Sequence, residues 1–186
     1  HSTIIPMNSL HHLFFTAISL SSNVFAADWP KWGGDATRNM VSLETGLDFD
    51  FEPGEMNDDE SVKMETTKNI KWVAKLGSQA YGNVTIANGR VFAGTNNESP
   101  RDDGKKGDRG VVMCFNEKSG DLEWQLVIPK LGAGKVSDWE YIGVCSSPAI
   151  EGNRVYVVTN KCEVVCLDIE GFKNGNDGPF MDEANY

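Results

Sequence analysis

Two stretches of the 186-residue chain concentrate side chains able to do chemistry. The first is Asn96-Asn-Glu-Ser-Pro-Arg-Asp-Asp-Gly-Lys-Lys-Gly-Asp-Arg109. Its Asn97, Glu98, Asp102, Asp103 and Asp108 offer the oxygen donors a hard cation such as Ca²⁺ takes, and Glu98 and Asp102 are taken as candidate metal ligands. The spacing is not that of a calcium loop, and Lys105, Lys106 and Arg109 compete for the same acids. A surface loop of local ion pairs is the rival reading. The second stretch is Gly132-Ala-Gly-Lys-Val-Ser-Asp-Trp-Glu-Tyr141. Trp139, flanked by Asp138 and Glu140, could stack a flat ring. Alternatively, Trp139 and Tyr141 plug a seam between structural units.

Four cysteines add a third candidate chemistry: Cys114, Cys145, Cys162 and Cys166. Cys162 and Cys166 would stand about 13 Å apart along one strand at ~3.3 Å per residue, too far to bridge. Cys114 and Cys166 hold equivalent repeat positions and read as small core residues. Cys145 and Cys162 start strands at one end of a sheet and are the expected disulfide, if the chain is exported. The pattern of two close Cys pairs that marks a structural zinc site is absent from the sequence.

Composition narrows the partners. Leu13–Ala26 is an uncharged apolar run ending Val24-Phe25-Ala26, which reads as a secretory leader over residues 1–26, cut after Ala26 or Ala27. It is too short for a stable membrane anchor. His1–Pro6 reads as translated upstream sequence, with Met7 as the start. The formal net charge of −10 argues against nucleic acid, which needs a positive footprint. Asp48–Glu65 carries eight acids against Lys63 alone, and is expected to be a solvated, mobile loop. It belongs to an arm and linker over residues 27–68. That arm opens with Asp28-Trp-Pro-Lys-Trp-Gly-Gly-Asp35, whose indoles are expected to pack onto a preformed surface.

The elements that must position these residues repeat. Val84-Thr-Ile-Ala-Asn-Gly-Arg-Val-Phe-Ala-Gly-Thr-Asn96 returns as Pro148-Ala-Ile-Glu-Gly-Asn-Arg-Val-Tyr-Val-Val-Thr-Asn160, with Arg90 and Arg154 64 residues apart. Cys114 and Cys166 are only 52 apart, so the first copy carries a 12-residue insertion within Asn97–Gly110. Asn88-Gly89 between two apolar runs signals a hairpin with a type I′ turn, and Gly152-Asn153 stands at the same place. Ile70–Leu76 reads as a further strand. Val111–Phe115 and Val155–Val158 are apolar on both faces and want a layer on each side. Small antiparallel sheets stacked face to face satisfy that. The fold class expected over residues 69–186 is all-β, with about two β-propeller blades of four-stranded antiparallel sheet forming a partial ring.

The residues then resemble a known family. Asn116-Glu-Lys-Ser-Gly-Asp-Leu-Glu-Trp124 is similar to the pyrroloquinoline-quinone (PQQ) type repeat, roughly Ala-x-Asp-x-x-Thr-Gly-x-x-x-Trp. Gly120 matches the turn glycine and Trp124 the tryptophan that docks between blades, and Trp72 would dock likewise for a preceding blade. The second copy starts the motif at Cys166-Leu-Asp168 and then departs from it. The leader and the Trp-Pro-x-Trp-Gly-Gly arm resemble exported PQQ-like propeller proteins of planctomycete type. Such rings have about seven or eight blades, so the resemblance implies a piece of a longer chain whose remaining blades complete the ring. It implies a periplasmic or secreted binding or scaffold module that meets a protein or small-molecule ligand on its loop face. Its alternative is a periplasmic quinoprotein dehydrogenase using PQQ and Ca²⁺. For that alternative Trp139, Asn97 and Arg101 are the candidate cofactor contacts. The adjacent Cys-Cys pair that such dehydrogenases hold near the cofactor is missing.

Overall fold

The computed structural model describes residues 27–132, 138–171, 173 and 175. The leader assigned to residues 1–26 lies outside that set, as does most of the chain beyond Gly171. Among the described residues, seven strands form two antiparallel sheets. In the first, β1 (Thr85–Ala87), β2 (Arg90–Asn96), β3 (Gly110–Asn116) and β4 (Leu122–Ile128) pair in chain order. In the second, β5 (Ala149–Glu151), β6 (Arg154–Val158) and β7 (Val164–Asp168) do the same. The all-β expectation holds. A fourth strand for the second sheet would fall beyond Asp168, largely outside the described residues. Among those residues no helix is long and apolar enough to cross a membrane.

The two copies of the repeat differ in their hairpin turns. Asn88 (φ 54°) and Gly89 (φ 72°) are both left-handed, as type I′ requires. In the second copy Gly152 is at φ 56° and Asn153 is not left-handed, which is the pattern of a type II′ turn. Exchanging Asn-Gly for Gly-Asn therefore keeps the hairpin but changes the turn.

The sheets stack face to face. Ala87, Phe92 and Cys114 of the first meet Ile150 and Val155 of the second, with Ile169 just past β7, and Val112 and Ile128 meet Val144 and Val157. The other face of the first sheet, with Val111, Met113 and Phe115, is covered by Trp72, Ala74 and Leu76. Strand β3 is thus buried on both faces, as its composition required. Strand β6 is covered on one side only: Tyr156 and Val158 are 37% and 47% exposed, because no described residue packs there. Ile70–Leu76 differs from its expectation too. Burial alternates along it in a strand's rhythm, but among the described residues it joins no ladder, and its inward side chains cover a face of the first sheet.

Two tryptophans lock the stack by the same device. Trp72 Nε1 donates to the Glu117 carbonyl at 2.8 Å, and Trp124 Nε1 donates to the Ile169 carbonyl at 2.9 Å. Each indole lies on a left-handed glycine of the turn it reaches. A Cβ on Gly120 (φ 78°) would meet Trp72 at 2.5 Å, and one on Gly171 (φ 61°) would meet Trp124 at 2.8 Å. Gly171 is therefore the second copy's turn glycine, one place earlier than the 52-residue offset demands. Asn116 does the work of the missing aspartate: its Oδ1 accepts the Lys118 and Ser119 N–H groups at 2.9 and 3.2 Å.

The arm stitches the inner strands together. Trp29 and Ile86 exchange main-chain hydrogen bonds of 2.8 and 3.0 Å, and Ile150 N–H donates to the Pro30 carbonyl at 2.7 Å. Of the two indoles expected to pack, Trp29 is half-buried against Gly34, whereas Trp32 is 48% exposed beside Arg38. The acidic linker, expected as a mobile loop, is a hydrogen-bonded ribbon. Glu52 pairs with Lys68 and Met56 with Val62, and Lys63–Glu55, Lys68–Asp50 and Lys75–Glu60 ion pairs flank it.

Removing the docking indole should be costly. Trp124→Ala is expected to destabilise the chain by about 3–5 kcal/mol. Gly120→Ala should cost about 1–3 kcal/mol, through the left-handed φ and the clash with Trp72. Chemical denaturation of each variant against wild type checks both values.

Candidate functional site

Tight turns close one end of the strands. At the other end lie the long connections: residues 77–83, the insertion after Asn96, the segment from Pro129 to Pro148, and the turn after Val158. This end is the loop face, and a repeated Thr-Asn pair builds it. Thr95 Oγ1 donates to the Gln79 carbonyl at 2.7 Å and accepts the Gly77 N–H at 3.0 Å. Asn96 is fully buried. Its Nδ2 donates to Ser78 Oγ (2.9 Å) and to the Tyr141 carbonyl (2.6 Å), while its Oδ1 accepts the Ser78 and Glu98 N–H groups. One amide therefore ties three connections together. Asn160, at the matching place in the second copy, fastens one connection, donating to the Pro129 carbonyl at 3.0 Å and to Asp138 Oδ2 at 3.1 Å. The repeat displays this pair, yet its role was not legible, because the partners come from connections that share no motif.

The insertion is fixed by its own polar groups. Asn97 is 5% exposed, and its Nδ2 donates to the Lys105 and Gly107 carbonyls at 2.6 and 3.0 Å. Arg101 donates to the Lys75 carbonyl at 2.6 Å, touches Met113 Sδ at 3.2 Å and lies 5.7 Å over the Phe115 ring. Burial there lowers its pKa. Asp102 accepts the Gly104 N–H at 2.9 Å, Asp103 pairs with Lys106 at 3.0 Å, and Glu98 is exposed. Asp108 anchors the far end of the insertion by accepting the Tyr141 N–H at 2.9 Å.

Beside it is the face's charged core. Lys130 Nζ lies 2.6 Å from Asp138 Oδ1, 3.4 Å from Asp108 Oδ2 and 2.6 Å from the Trp139 carbonyl. Asp138 Oδ2 accepts the Leu131 N–H at 2.9 Å. Burial pushes the Asp138 carboxyl up, but Lys130, the Leu131 N–H and the Asn160 amide outweigh it and hold its pKa below the ordinary value. The connections of this face also carry three exposed aromatics: Trp139 (63%), Tyr81 (61%) and Tyr141 (40%).

The sequence-derived candidates are thus dispersed. Trp139 stands on the loop face, Asn97 is spent inside the insertion, and Arg101 is packed against the sheet face covered by residues 72–76. Glu98 and Asp102 do not converge: among the described residues no group of three His, Cys, Asp or Glu side chains is placed to hold a metal ion. Among the described residues, the donors named for PQQ and Ca²⁺ are not gathered into one site. Of the structural candidates, Gly120, Trp124 and Trp72 are gathered at the blade junctions. The four cysteines are free thiols, and the expected Cys145–Cys162 bridge is not formed. Cys145 Sγ turns back toward the Gly143 carbonyl, and Cys162 sits left-handed (φ 61°) in the β6–β7 turn.

Stacked antiparallel sheets, inter-blade tryptophans and turn glycines together define adjacent blades of a β-propeller. Residues 57–171 match the family described as outer membrane protein assembly factor BamB, and the chain belongs to that family of PQQ-like repeats. A search of curated proteins found no significant match.

Two measurements follow. Asp138 binds its proton at lower pH folded than unfolded, so its contribution is complete above the unfolded value of about 4 and is lost as pH falls below it. Lys130→Met should move the acid-unfolding midpoint upward and cost up to about 3 kcal/mol at neutral pH, by removing the counter-charge of a buried carboxylate that keeps its bonds from the Leu131 N–H and the Asn160 amide. Acid titration followed by circular dichroism checks this. The Cys114 thiol is pushed up to about 12, by burial first and then by the Glu123 charge. A thiol reagent at neutral pH should therefore label Cys145, Cys162 and Cys166, and reach Cys114 only on unfolding.

Proposed function

We propose that the chain is an exported binding or scaffold module, periplasmic or secreted, whose loop face receives a protein partner. The observation that carries this reading is that Tyr81, Trp139 and Tyr141 are all exposed on connections of the loop face, which Asn96 and Lys130 with its two aspartates fasten. Large amphipathic side chains are enriched at interfaces, and a preformed surface limits the ordering cost of binding. The family's description, an outer membrane protein assembly factor, supports a partner-binding role in the cell envelope. The apolar leader supports export.

Trp139→Ala with Tyr141→Ala should weaken binding of the loop-face partner by about 10–100-fold without shifting the melt, as expected for hot-spot aromatics. Titration calorimetry and thermal unfolding of the full-length protein test the two halves. The rival quinoprotein reading is tested by adding PQQ and Ca²⁺ to the same protein. The expected outcome is no bound quinone absorbance and no dye-coupled oxidation of alcohols or sugars. Turnover of either substrate class would replace the binding reading.

A further inference from the structure

The Ala27 backbone nitrogen donates to Glu44 Oε1 at 2.5 Å. Residues 40–43 and 45 are exposed, but Glu44 between them is half-buried, and its own N–H donates to Ser42 Oγ at 3.1 Å. From Ala27 the chain runs directly into the arm's contacts with both sheets. Asp28 Oδ2 accepts the Asn88 N–H of the first hairpin turn at 3.2 Å. Trp29 pairs with Ile86 of β1, and the Pro30 carbonyl accepts the Ile150 N–H of β5. Residues 28–30 therefore form a strap over the two sheets, and the Ala27–Glu44 contact ties its leading end back onto the arm.

A carboxylate placed here acts differently on an intact and on a cut chain. In the intact chain Ala27 offers a neutral amide N–H. Hydrolysis of the Ala26–Ala27 bond by an envelope endopeptidase adds one water across it. The hydroxyl goes to the Ala26 carbonyl carbon and the proton to the Ala27 nitrogen, which is then an α-ammonium at neutral pH. The contact with Glu44 becomes an ion pair. The sequence marks the same bond: Val24 and Ala26 are the small residues at −3 and −1. A cut one residue later would put the bulky Phe25 at −3 and would remove the Ala27 donor altogether. We propose that Ala26–Ala27 is the processing bond and that Glu44 is the seat of the α-ammonium it releases, so that maturation itself fastens the strap over both sheets. This rests on the export reading above and goes beyond it by naming the bond and the acceptor.

The bond is tested on the full-length protein recovered from its native cells, by intact mass and N-terminal sequencing. Ala27 is the expected terminus. Asp28 or any other terminus on protein found outside the cytoplasm overturns the proposal and leaves the export reading standing. Protein that stays in the cytoplasm with residues before Ala27 attached overturns both. The seat is tested on the mature protein with an amine-selective reagent at neutral pH, followed by peptide mapping. Only the neutral amine reacts, and a neighbouring carboxylate favours the ammonium. Wild type should therefore label at Ala27 about two- to fivefold more slowly than Glu44→Gln, the range open to an exposed ion pair. In denaturant the two should label alike, because the seat is gone. The Trp29 and Ile150 amides should exchange with deuterium faster in Glu44→Gln, since the strap has lost its tie. Equal labelling of the two folded proteins overturns the seat, as does a difference that persists in denaturant. Unchanged exchange at both amides overturns the fastening of the strap.

Discussion

Two indoles, Trp72 and Trp124, each reach out of their own segment to a turn 45 residues further along, and the stacking of the sheets depends on that contact. A blade is a small sheet with apolar side chains on both faces and too little core to stand alone. Trp72 and Trp124 resolve this by burying their rings across a junction and donating Nε1–H to a turn carbonyl of the next unit. The turn can accept the ring only because its glycine carries no Cβ. Packing, hydrogen bond and backbone conformation are thus satisfied by one contact, and the seams around Phe92, Cys114 and Val155 close behind it.

The loop face depends on this stack. Thr95-Asn96 and Thr159-Asn160 sit at the ends of equivalent strands, and their side chains fasten connections from several parts of the chain. The charged core is a second fastener. Lys130 is shared between Asp108 on the insertion and Asp138 on the connection between blades. A pair this enclosed adds little net stability but strongly penalises any arrangement that separates its members, so it selects one loop geometry. The exposed aromatics of this face lie on the connections so fastened.

The same logic separates the ribbon from the linker its composition suggested. Eight acids over Asp48–Glu65 point to a solvated chain, yet Lys63, Lys68 and Lys75 are spaced to meet them and main-chain pairs close the ribbon. Two of those lysines lie beyond the acidic segment, so the count within it overstates the local repulsion. The acids are paired yet stay exposed, alongside the apolar residues of the same ribbon.

Much of the architecture was legible from local chemistry. Strand identity, hairpin positions and the Gly120–Trp124 motif follow from alternation, turn propensity and the repeat, which act over a few residues. Three features were decided only in three dimensions. Gly171 took the place of a turn glycine because Trp124 needs an empty Cβ position there, whatever the local motif. Ile70–Leu76 kept a strand's alternation but joins no ladder among the described residues, and its inward side chains are set by the sheet face they cover. The candidate site residues dispersed because Asn97 and Arg101 found nearer partners within their own loop and sheet. Sequence spacing measures distance along the chain, and competition among polar groups for buried partners is settled across it.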